Sequence, residues 1–229
     1  MIEFQNIFLQ YHYEKYSLFE GLSFALADGV STVLCDVQSG KTSLCKLILG
    51  QLAPNSGAVT VNGKNVCGRD CNLSALYLPA SPAFFPNKSV LYNLQYPLKV
   101  RKIPPQQQQL HALAAQFDLD NVLQQKVKTL SASQQKRLAR ARGLVVCREV
   151  VLFDDFFDDT MSEGEIQDVL QLFDCKACVI VTSNPALAFG NTVVISDKRC
   201  LFQGEAEAAR NVVSSLGWLA AGLKKISEI

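Results

Sequence analysis

An α/β fold organised around a phosphate-binding loop is what this 229-residue chain predicts, and three observations carry the prediction. The first is an apolar strand, Ser31-Thr32-Val33-Leu34, followed by Cys35-Asp36-Val37-Gln38-Ser39-Gly40-Lys41-Thr42-Ser43 and then by the helical Leu44-Cys45-Lys46-Leu47-Ile48-Leu49. The end of that loop fits the pattern G-x-x-x-x-G-K-S/T, in which backbone amides cradle phosphate, the lysine reaches β/γ-phosphate oxygens and the hydroxyl ligates Mg²⁺. The second is Val150-Val151-Leu152-Phe153-Asp154-Asp155, an apolar strand ending in two acids, the arrangement that delivers a carboxylate to phosphate-bound Mg²⁺. The third is the alternation of helix, strand, helix and strand between residues 133 and 182, which is α/β patterning.

The elements follow in order. Ile2 to Tyr11 reads as an edge strand and Tyr16 to Leu26 as another. After the loop helix, Pro54-Asn55-Ser56-Gly57 is a turn, Ala58 to Val61 a strand, and Asn62-Gly63 a tight hairpin turn. Ala75 to Leu78 is a short strand stopped by Pro79. From about Ser89 to Val127 the character is helical, with a solvated glutamine run at Gln106 to Gln109 and an apolar stripe of Leu110, Leu113, Ala114 and Phe117. The closing portion predicts a helix over Ser133 to Val146, a strand over Val150 to Phe153, a helix over Glu163 to Leu172 and a strand over Cys178 to Thr182. Strands over Thr192 to Ile195 and Cys200 to Phe202 and a helix from about Glu205 complete it. There is no internal repeat, so we read residues 1–229 as one domain with a helical subdomain over about 87–130 and a helical tail over about 204–229.

Composition narrows the function. With 48% hydrophobic and 19% charged residues the chain has ample material for a core. A net charge of +1 argues against nucleic acid as a partner. No stretch of about 18 apolar residues is present, and the first residues lack a basic region followed by an apolar core, so a cytosolic location is expected. The eight cysteines fit that location as free thiols. Cys35, Cys45, Cys147, Cys178 and Cys200 lie in or beside apolar segments, where a thiol is a small hydrophobe. Cys67/Cys71 and Cys175/Cys178 have the close spacing of zinc ligands, but Cys178 opens a buried strand and the apolar reading is favoured.

Upstream of the acidic strand lies Leu130-Ser131-Ala132-Ser133-Gln134-Gln135-Lys136-Arg137, leading into Leu138-Ala139-Arg140-Ala141-Arg142-Gly143-Leu144. This resembles the LSGGQ signature and following helix of ABC-type ATPases. With it in register, residues 2 to 203 resemble an ABC nucleotide-binding domain, including Pro54 to Gly57, Asn62-Gly63-Lys64 and the segment Pro82 to Val90. The resemblance implies a P-loop NTPase of ABC type: a mixed sheet around the loop helix, an antiparallel β subdomain and a helical subdomain. It implies ATP and Mg²⁺ as cofactors. Tyr11 would stack on adenine; Ser39, Gly40, Lys41, Thr42 and Ser43 would hold the phosphates, and Thr42 and Asp154 the metal. Ser131, Ser133 and Gln134 would face the nucleotide of a second ATP-binding subunit. Asp155 stands at the position of the catalytic base and Ser183 at that of a histidine contacting the γ-phosphate. Transmembrane subunits would be the other partners, docking near Phe84, Phe85, Val90 and Tyr92, and the chain would sit peripherally on the inner face of the cell membrane.

The departures from the family pattern fall at chemistry rather than in the core. Cys35 and Gln38 replace loop glycines, whose strain in side-chain residues would cost about 1–3 kcal/mol each. Asp36 adds a carboxylate beside an anion site. Asp155 is one methylene shorter than the usual glutamate, and a misplacement of about 1 Å can cost about 10²-fold in rate. Ala80, Met161 and Ser183 replace a glutamine, an aspartate and a histidine, and Ala132 and Ser133 replace the signature glycines. We therefore expect ATP binding with impaired hydrolysis, in a transporter subunit that depends on a competent partner. The alternatives are a non-catalytic nucleotide-sensing or structural subunit, and a slow homodimeric ATPase with Asp155 as base.

Overall fold

A computed structural model describes residues 1–36, 39–67, 73–145, 148–157 and 161–216. The chain forms two sheets that share one core. The first is antiparallel, with strand order β2-β1-β4-β5, built from β1 (Ile2–Leu9), β2 (Phe19–Leu26), β4 (Ser56–Val61) and β5 (Lys64–Asn65). The second has six strands in the order β10-β9-β3-β8-β7-β6: β3 (Gly29–Cys35), β6 (Ala75–Pro79), β7 (Val150–Asp154), β8 (Ala177–Thr182), β9 (Asn191–Ser196) and β10 (Arg199–Glu205). In it β3, β6, β7, β8 and β9 run parallel and β10 folds back antiparallel on β9. Parallel neighbours need long crossovers, which the helices supply. The expected mixed sheet and antiparallel β subdomain are both present.

Helix α1 (Lys41–Ile48) lies between the sheets. Its Leu44, Cys45, Leu47 and Ile48 meet Phe4, Phe19 and Leu22 on one side and Val33, Leu152 and Val179 on the other. The period-2 alternation of β7 explains how one strand serves two cores. Val150 and Leu152 face α1, whereas Val151 and Phe153 face α5 (Glu163–Gln171) through Ile166, Val169 and Leu170. Strands buried on both faces read as continuous apolar runs, which is why β7 and β8 stand out in the sequence. Truncating a fully buried ring such as Phe153 to alanine would cost about 3–5 kcal/mol. Helix α6 (Ala206–Ser215) packs Ala209 and Val213 on Leu34 and Val194.

The helical subdomain holds α2 (Val90–Val100), α3 (Gln107–Gln116), two short 3₁₀ turns and α4 (Ala132–Leu144), around Leu94, Leu110, Ala114, Phe117, Leu123 and Leu138. The predicted stripe is present, with Leu113 only partly buried at its margin. Asn62 (φ 51°) and Gly63 (φ 75°) form the hairpin turn that pairs Val61 with Lys64, the left-handed pair that such a turn requires.

Two expectations change. β1 is not an edge strand: it pairs with both β2 and β4 and is central in its sheet. It also ends at Leu9, so Tyr11 stands in the loop beyond it. Pairing partners distant in sequence set strand position, and the strand's own residues do not announce it. Part of the expected tail, residues 217–229, lies outside the described residues, as do Gln38, Cys71 and Cys147.

Candidate nucleotide site

The carboxyl ends of β3, β7 and β8 converge with the start of α1, the crevice where open α/β sheets take ligands. The loop after β3 turns into α1 at Gly40, whose φ of 90° is left-handed. A Cβ there would also sit 2.7 Å from Leu18 Cδ2, so glycine is required twice over. As N-cap, Gly40 brings no side-chain acceptor, and the first turn of α1 carries no acid. Its first amides therefore remain available to an anion.

Thr42 and Asp154 meet here. The Thr42 hydroxyl donates to Asp154 Oδ2 at 2.9 Å, and Tyr77 of β6 donates its hydroxyl to the same oxygen at 2.6 Å. Asp154 is 5% exposed, and these two bonds hold its Oδ2 in place. Desolvation first, and the bond to Asp154 second, push the Tyr77 phenol above its ordinary pKa, so it acts as a donor. A threonine hydroxyl beside a buried carboxylate is an all-oxygen set that suits a hard cation such as Mg²⁺.

Lys41 Nζ lies 3.1 Å from Asp155 Oδ2. Asp155 reaches it from a left-handed backbone (φ 45°), a region that aspartate visits more readily than most residues, with its amide donating to Val181 O. The residue expected as a base is thus the counter-ion of the loop lysine. Ser183 follows β8 directly, on the same edge of the sheet, and is half-buried. Tyr11 OH lies 2.8 Å from Ser43 Oγ, and Ser39 donates its hydroxyl to Asp36 O within the loop. Tyr11, Glu14, Tyr16, Ser17, Leu18 and Gly40 to Ser43 line an open cavity of about 780 Å³, within the range of small-molecule sites.

Cys35 departs from the expectation of strain. It is the last residue of β3, paired with Ile195 in the parallel ladder, and its side chain is fully buried in the core. Burial pushes its thiol up to about 12, so it remains neutral beside the loop.

The three signature residues lie elsewhere. Ser131 is the N-cap of α4: its hydroxyl accepts from Gln134 N–H at 3.2 Å, and Gln134 Oε1 accepts from Ser131 N–H at 2.9 Å. Both, with the exposed Ser133, belong to the helical subdomain and do not line the loop cavity. Of the residues expected to dock a membrane partner, Val90 is fully buried and belongs to the helical core, a correction that its place at the first turn of α2 explains. Phe85 is exposed and packs edge-on against Tyr96 at 4.5 Å and Tyr92 at 5.7 Å, while Phe84 lies under the Arg142 guanidinium.

Tyr77 was missed by the sequence reading. The available signal was a tyrosine in a short apolar strand, since a partly buried phenol needs a partner for its hydroxyl.

Residues 20–158 match a family model described as ABC transporter, which covers more than half of the chain. The chain belongs to the ABC transporter family. Among curated relatives it is 34% identical over 151 residues to a molybdate/tungstate import ATP-binding protein of Pyrococcus horikoshii, covering 63% of this chain and 43% of that protein. It is 30% identical over 184 residues to an Fe(3+) ions import ATP-binding protein of Vibrio cholerae, covering 75% and 52%. A taurine import ATP-binding protein of Pseudomonas putida is 31% identical over 136 residues, covering 58% and 51%. The chain thus spans about half the length of the curated relatives it matches. Among the described residues no helix is long and apolar enough to cross a membrane.

Proposed function

We propose that this chain is an ATP-binding subunit of a membrane import system, binding Mg-ATP with weakened or lost intrinsic hydrolysis and working with a competent second ATP-binding subunit. The observation that best supports it is the 3.1 Å contact between Lys41 and Asp155. It places the carboxylate at the base position on the loop lysine instead of on open space, a pairing that an arriving phosphate has to displace.

In this reading the α1 amides and Lys41 take the phosphates, with Lys41 exchanging its Asp155 partner for a phosphate oxygen. Thr42 and Asp154 would hold Mg²⁺, which supplies charge neutralisation on the phosphates when bound. Tyr77 keeps Asp154 aimed. Tyr11 closes the base side of the cavity. The capped start of α4, with Ser131, Ser133 and Gln134, would present itself to the nucleotide of the partner subunit. Phe85, Tyr92 and Tyr96 offer a surface for transmembrane subunits, which would place the chain on the cytoplasmic face of a membrane. The names of the relatives favour import, and the range of their substrates leaves this chain's own substrate to its membrane partners.

The test is to introduce Asp155→Glu together with Ser183→His and follow phosphate release. A clear rise in turnover supports impairment at these two positions. A double variant that binds ATP normally yet gains nothing would overturn it and place the defect in the loop.

A further inference from the structure

The turn from α5 into β8 carries Asp174-Cys175-Lys176-Ala177-Cys178, two cysteines three residues apart. Their Sγ atoms lie 3.2 Å apart. Backbone contacts hold this turn independently of the thiols. Cys175 N–H donates to Phe173 O at 3.0 Å, and the amides of Lys176 and Ala177 donate to Glu149 O at 3.0 and 3.1 Å. Cys178 is fixed further by its place in β8, in register with Val151 on one side and Val30 on the other. The fold therefore imposes the juxtaposition. A disulfide needs about 2.05 Å between sulfurs, a closure of roughly 1 Å that side-chain rotation can supply.

The two thiols are not equivalent. Cys178 is 4% exposed, out of reach of any reagent larger than a few atoms. Cys175 is only partly buried and lines two surface openings, one of them with Arg148, Glu149, Asp174 and Lys176. The hydrogen bond from Cys178 draws the Cys175 thiol below its ordinary pKa, against its partial burial and Asp174, whereas Cys178 is pushed up. The difference in exposure suits Cys175 to meet a reagent first and Cys178 to react only with Cys175.

We propose that Cys175 and Cys178 are a redox-active dithiol that forms an intrachain disulfide by exchange with a low-molecular-weight disulfide, such as oxidised glutathione. The Cys175 thiolate attacks one sulfur of RS–SR, forming Cys175–S–SR and releasing RS⁻. Cys178 then gives up its proton and attacks the Cys175 sulfur, expelling the second RS⁻. The two protein thiols lose two electrons and two protons, and RSSR leaves as two RSH. The pair lies at the amino ends of the parallel strands, away from Lys41 and Asp155 at their carboxyl ends, so the inference is independent of the nucleotide reading.

The test uses the full chain, reduced, freed of reductant, and incubated near neutral pH with excess oxidised glutathione. Remaining thiols are blocked with N-ethylmaleimide in denaturant, which exposes Cys178, and tryptic peptides are mapped without reduction. Trypsin cuts after Lys176, between the two cysteines, so a disulfide leaves two peptides covalently linked. The expected result is that linked pair, two hydrogens lighter than its reduced components and released by dithiothreitol. Cys178→Ser should trap glutathione on Cys175, and Cys175→Ser should leave Cys178 unmodified. Recovery of Cys175 and Cys178 as maleimide adducts in the wild-type chain would overturn the proposal, as would a lasting glutathione adduct on Cys175 beside a free Cys178. The wild-type map decides even where the buried Cys178→Ser variant folds poorly.

Discussion

Replacing Asp155 with asparagine removes the charge from Lys41's partner while keeping its shape. At an effective dielectric of about 20, unit charges about 4 Å apart attract by roughly 4 kcal/mol before solvent screening. The Asp155 side chain is 39% exposed, against 14% for Lys41, so screening reduces the net value to about 0.5–1 kcal/mol. That energy opposes ATP, because the nucleotide needs Lys41 free. Asp155→Asn should therefore tighten Mg-ATP binding by about 2- to 5-fold, since about 1.4 kcal/mol corresponds to tenfold. Calorimetric titration of both proteins checks this, and the gap should narrow in high salt. If Asp155 were instead purely a base, the variant would bind ATP as the parent does and lose only turnover. Unchanged or weaker affinity refutes the counter-ion account.

Three further outcomes follow from the same geometry. Tyr77→Phe removes a hydrogen bond to a buried carboxylate, worth about 1.5–3 kcal/mol; urea unfolding should show most of that loss, and ATP binding should need more Mg²⁺. Gly40→Ala forces a side chain to φ 90° and against Leu18, so strain of about 1–3 kcal/mol should lower the melting temperature and abolish ATP binding while leaving the far-UV spectrum native. The Cys35 thiol titrates at about 12 in the fold against an ordinary 9.0. Above pH 9 the unfolded chain loses this proton and the folded chain keeps it, so stability present below pH 9 should fall by up to about 1.4 kcal/mol per unit between pH 9 and about 12. Urea midpoints across that range should fall less steeply in Cys35→Ala.

The fold was legible where local chemistry is loud. Gly40-Lys41-Thr42 after an apolar strand located α1, and the double-buried runs located β7 and β8, because both depend on neighbouring residues alone. The central place of β1 was not legible, since it depends on partners as distant as Leu26 and Val61. At the site, Thr42 and Asp154 were found as a pair and are hydrogen-bonded. The Lys41–Asp155 contact was not, because it follows from the left-handed backbone at Asp155 and the register of β7 against β8. Cys35 read as a damaged loop position, and the structure makes it a core residue at a strand end.

The central claim is binding without competent turnover. It is tested most directly by titrating the purified chain with Mg-ATP and measuring phosphate release in the same sample. The account predicts saturable, Mg²⁺-dependent binding with phosphate release at or close to the protein-free control. Sustained hydrolysis by the chain alone, or no binding at all, would contradict it.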